Sequence, residues 1–87
     1  MEEEPIEGAI KVKLLFFGPL AEKLSQRSLD VSLLYGTTIN QIIDRFDLKS
    51  MISDGLVVAL DGDIGIDFDT EVHDSSEIAF LPPVSGG

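Results

Sequence analysis

The sequence has no cysteine, no tryptophan, one histidine and no basic residue beyond Lys49. Without cysteine there is no disulfide framework, no thiolate zinc site, and no cysteine nucleophile or persulfide carrier within the chain. Any sulfur chemistry must use another atom. The lone histidine, His73, has no second histidine or cysteine with which to share a metal, so no metal site is expected. No serine-nucleophile motif accompanies it, which leaves a hydrolase triad unsupported. Gly18, Gly36 and Gly55 stand far apart and build no phosphate-cradling loop.

Bases are scarce. Six of them face sixteen acids, a formal net charge of −10. Phosphate backbones and anionic membranes need Lys and Arg, so nucleic acid and membrane surfaces are poor partners. All six bases lie between Lys11 and Lys49, and residues 50–87 carry none. The acidic half keeps the protein soluble, and it also offers a field that steers docking to a basic protein surface. No apolar run approaches the roughly 20 residues of a membrane helix. The start, "MEEEPIEGAI", is acidic where a signal peptide needs a positive region, so a cytoplasmic protein is expected.

What is present fits one small globular domain: 87 residues, 44% of them hydrophobic. Residues 1–9 read as a solvated acidic extension. "IKVKLLFF" (10–17) alternates as a strand, with Ile10, Val12, Leu14 and Phe16 on one face. Its other face begins polar and turns apolar at Leu15 and Phe17. Gly18-Pro19 breaks it, and 19–26 forms a short helix with Leu20 and Leu24 at i, i+4. Residues 27–34 alternate as a half-exposed strand. In "TTINQIIDRF", Ile39, Ile42, Ile43 and Phe46 share one helical face, and Thr38 with Gln41 has the form of a capping box. "DLKSMI" adds a brief helical turn. "LVVAL" (56–60), "IGIDF" (64–68) and "EIAFL" (77–81) read as strands, with a turn at 61–63 and a polar loop around Val72. One main amphipathic helix laid across a mixed sheet of about five strands is an α+β two-layer domain.

The aspartates of "DGDIGIDFDTE" do not make a calcium loop. An EF-hand starting at Asp61 needs glycine at its sixth place and glutamate at its twelfth, where Ile66 and Val72 stand. What remains is the end, "AFLPPVSGG". Pro82 and Pro83 fix φ and hold an extended exit. Val84, Ser85, Gly86 and Gly87 then reach about 13 Å at full extension. Two glycines without Cβ pass a narrow channel that larger residues would block. The Gly87 α-carboxylate is thus set apart from sixteen acidic side chains as the tip of a thin probe. If the first and last strands are neighbours, Leu15, Phe17, Ala79 and Leu81 form an exposed apolar patch beside it, the mark of an interface.

From about Ile10 to Gly87 the chain resembles the small subunit of molybdopterin synthase, the MoaD group of ubiquitin-like sulfur carriers in the wider MoaD/ThiS superfamily. The resemblance rests on "IKVKLLFFGPLAEKL", on the helix after "YGTT", and above all on "EIAFLPPVSGG". It implies a β-grasp domain over 10–83 and an extended tail over 84–87. It implies that a MoeB-like, E1-type enzyme adenylates Gly87 with ATP, and that a sulfur donor then converts it to a thiocarboxylate. A MoaE-like large subunit accepts the tail, and the sulfur passes to cyclic pyranopterin monophosphate during molybdenum cofactor biosynthesis. The expected assembly is a heterotetramer. The chain would be a non-catalytic subunit of a sulfurtransferase, with no cofactor of its own. By the same resemblance, Phe17, Leu81 and a position near Ile64 contact partners. Leu15 lies beside them, and Pro82, Pro83, Val84, Ser85 and Gly86 form the threaded tail. Competing readings are a carrier for thiazole, tungsten-cofactor or tRNA thiolation pathways, a ubiquitin-like protein modifier, and a plain interaction module with an incidental tail. The acidic extension departs from the family's usual short start, and no role is assigned to it.

Overall fold

The computed structural model describes residues 8–82. Strand β1 (Ala9–Phe16) alternates exposed and buried residues and is an interior strand, between the edge strand and the central one. Helix α1 (Gly18–Leu24) follows at once and drives Leu20 into the core. It stops at Ser25, a left-handed residue (φ 59°) whose N–H donates to the Glu22 carbonyl. Strand β2 (Ser28–Leu34) returns antiparallel along β1 as a sheet edge.

Helix α2 (Ile39–Arg45) is seven residues long, too short to stand without tertiary support. Its capping box is complete: the Gln41 N–H donates to Thr38 Oγ1 at 3.3 Å, and the Thr38 N–H donates to Gln41 Oε1 at 2.9 Å. Ile39, Ile42 and Ile43 are buried, and Phe46 is half-buried after the last turn. Helix α3 (Lys49–Ser53) follows the buried Leu48 and leans Met51 and Ile52 on the same core.

The remaining strands are β3 (Val57–Leu60), β4 (Asp63–Ile64) and β5 (Glu77–Leu81), and the sheet order is β2-β1-β5-β3-β4. β5 lies parallel to β1 and antiparallel to β3. Helices on one face of such a mixed sheet are the expected α+β architecture, and it is the ubiquitin-like β-grasp fold.

The strand expected over 64–68 is a correction. Only Asp63 and Ile64 pair with β3, across a two-residue turn in which Asp61 and Gly62 both take positive φ. Gly65 (φ +83°) then turns the chain away from the sheet. The Asp69 N–H donates to Asp67 Oδ1, and the Phe68 and Thr70 carbonyls accept from the N–H groups of Asn40 and Ile39. The segment therefore spends its carbonyls on the orphan donors that open α2, where a ladder would have used them on a strand. Ile66 and Phe68 still pack against the core, which is why their spacing read as a strand. Val72, buried in the polar loop, donates its N–H to the Thr37 carbonyl and staples that loop to the α2 entrance.

Candidate docking face and tail exit

The parallel register of β1 and β5 sets Leu15 beside Ala79 and Phe16 beside Phe80. Phe16 and Phe80 point inward and stack, with centroids 5.7 Å apart and planes 15° from parallel. Leu15 and Ala79 therefore point outward. The antiparallel pairs Ala79–Ala59 and Ala59–Ile64 extend the line, so one row crosses four strands as Leu15, Ala79, Ala59 and Ile64. A second pair, Leu81 with Val57, lies nearer the end of β5. Phe17 follows one residue beyond the last β1–β5 pair.

These side chains are not equally covered. Phe17 is 44% exposed, Val57 37% and Ile64 65%, whereas Leu15, Ala79 and Leu81 are half-buried among their neighbours. The row one step further from the end of β5 is charged, with Lys13 between Asp30 and Glu77. The apolar patch thus has a sharp polar border on one side and the chain exit on the other. A shallow groove beside it, between α1 and the start of β2, is lined by Leu15, Phe17, Ala21, Glu22, Gln26 and Arg27.

Of the residues singled out from the sequence, Leu15, Ile64 and Leu81 come together on this outer face, with Phe17 at its rim and Pro82 half-buried at the exit. Pro83, Val84, Ser85, Gly86 and Gly87 lie outside the described residues. Val57 belongs to the patch and Ala59, itself buried, continues its row; neither is marked in the sequence, because "LVVAL" is apolar on both faces and shows no alternation. Leu34 and Tyr35 are also exposed, but Leu34 closes the far end of β2, opposite Ala9, and Tyr35 follows it.

No other chemistry competes within the described residues. No group of acidic, histidine or cysteine side chains there has a metal-holding arrangement. His73 is exposed, and its backbone N–H donates to Ser76 Oγ as part of the turn into β5. No helix among those residues is long and apolar enough to cross a membrane.

Comparison with known proteins places this geometry. A family model described as the ThiS family matches residues 14–87. A Haloferax volcanii protein solved in solution shares the fold at a TM-score of 0.80 and 21% identity, over 99% of this chain and 94% of that one. The small archaeal modifier protein 1 of Methanosarcina acetivorans matches at 0.67 and 23%, over 91% and 98%. A complex of subunits 1 and 2 of the Helicobacter pylori molybdopterin-converting factor contains a chain that matches at 0.62 and 21%, over 90% and 100%. No curated protein matches the chain in sequence.

Proposed function

The chain belongs to the ThiS family, and from that premise we propose that it is a sulfur carrier, the small subunit of a molybdopterin synthase. The observation that carries the reading is the placement of the exit: β5 ends at Leu81 and Pro82 follows at the margin of an apolar sheet face, with "PVSGG" still to come. A partner docked on that face receives the tail in a set direction. The Gly87 carboxylate attacks the α-phosphorus of ATP on an E1-like enzyme, and pyrophosphate leaves. A sulfide-level sulfur donor then attacks the acyl carbon and AMP leaves, giving the thiocarboxylate. The thiocarboxylate sulfur bonds to a carbon of cyclic pyranopterin monophosphate in the large subunit's site, and water then cleaves the acyl–sulfur bond, leaving the sulfur on the pterin and returning the tail as a carboxylate. This chain supplies the carrier atom and the docking face; ATP belongs to the activating partner.

The Helicobacter pylori complex of two subunits supports a large-subunit partner for this chain. The modifier-protein neighbour favours a second reading, attachment of Gly87 to lysines of other proteins. Affinity purification from the native cell, read by mass spectrometry, separates them. The carrier reading predicts a large synthase subunit in the eluate and a C-terminus carrying sulfur. Gly-Gly remnants on target lysines, with no such subunit, would favour the modifier. Recovery of a thiazole synthase would reassign the client.

A further inference from the structure

We propose that Gly18 is a positioning residue for the tail, setting the direction in which the chain leaves Pro82. In the sequence Gly18-Pro19 serves only to end a strand. In the fold Gly18 has φ +57°, the left-handed region that disfavours side chains. A Cβ built on it would lie 3.3 Å from Pro82 Cγ and 4.0 Å from Pro82 Cβ. The start of α1 and the residue that follows β5 therefore approach so closely that a side chain at position 18 would press on the Pro82 ring.

The contact matters because of what Pro82 lacks. Ladder pairing ends at Leu81, opposite Val57. Pro82 has no N–H, so no backbone donor of its own can pin it to the sheet. Packing against Gly18 supplies the missing restraint, above the Phe16–Phe80 stack that locks the two strands together. Five residues follow, spanning at most about 17 Å. A Cβ at 3.3 Å asks the Pro82 ring to give by a few tenths of an ångström at the root of those residues, and rates of positioned reactions respond to shifts of that order, with about 1 Å costing roughly 100-fold. The functional consequence rests on the sulfur-carrier reading; the positional claim does not.

The fold provides its own control. Gly36 also has positive φ (+89°), but a Cβ there meets nothing within 4 Å. Gly36→Ala carries backbone strain alone, whereas Gly18→Ala carries strain and the push on Pro82. The chain has no cysteine, so Ser85→Cys accepts a single nitroxide label. Its paramagnetic broadening of β1 and β5 amides maps the tail. We expect that map to change with Gly18→Ala and to stay as in wild type with Gly36→Ala. In the unlabelled chain, kcat for adenylation by the activating enzyme should fall about 2- to 5-fold in Gly18→Ala. KM, set by the docking face, should hold. Gly18→Asn, a residue that tolerates left-handed φ, repeats the measurement if the alanine variant does not fold. Identical label maps for the Gly18 and Gly36 variants would overturn the proposal. Failure of the wild type to be adenylated would instead remove the sulfur-carrier reading, while the label maps still decide the role of Gly18.

Discussion

The two faces of the sheet are built from alternate residues of the same strands, yet they answer to different demands. Inward, Val12, Leu14, Phe16, Val58, Ile78 and Phe80 are almost wholly buried under the helices. Outward, Leu15, Val57, Ala79, Leu81 and Ile64 are of similar chemistry, but no part of the described chain covers them fully. A pleated strand keeps the two sets apart because its side chains alternate with period two. The inner set holds the domain together. The outer set leaves apolar area that no described part of the chain covers fully, the mark of an interface. A domain this small has little stability to spare, so apolar residues left outside the core are informative.

Four substitutions probe that division, in order of expected effect. Phe80→Ala removes the fully buried half of the aromatic stack and should cost about 3–5 kcal/mol in urea unfolding, a large fraction of the total. On the other face, Ile64→Asp and Phe17→Asp should each weaken binding of the proposed large subunit by roughly 10- to 100-fold, or about 1.4–3 kcal/mol. Their unfolding midpoints should stay within about 0.5 kcal/mol of wild type. Loss of stability comparable to that of Phe80→Ala would erase the distinction between the faces. Thr38→Ala removes the α2 capping box and should cost about 1 kcal/mol of stability, with large-subunit affinity unchanged by calorimetry, because the helix covers only the inner face.

Much of this could be read directly from residue order. β1 and β5 alternate cleanly, the Ile39–Ile42–Ile43–Phe46 stripe marks the helix, and Thr38–Gln41 marks its start. These are local signals with a period or a fixed spacing. The outward direction of Leu15 and Leu81 followed from the same alternation. What escaped was set by distant partners. Nothing local shows that β1 and β5 run side by side; that pairing assembles the patch. "LVVAL" could not say which valine faces out. The short β4 was overextended because Ile66 and Phe68 pack inward while their carbonyls serve α2. The fit of Gly18 against Pro82 joins residues 64 positions apart and has no local trace.

The central claim is that the outer face exists to deliver one carboxylate, and intact-mass measurement tests it most directly. Purified protein incubated with ATP, an E1-like activating enzyme and a sulfur source should gain about 16 Da, one oxygen replaced by sulfur, localised to the C-terminal peptide. Removal of Gly87 should abolish the gain and leave the unfolding midpoint unchanged. An unchanged mass in the presence of an activating enzyme shown to be competent, or a gain that survives loss of Gly87, would contradict the account.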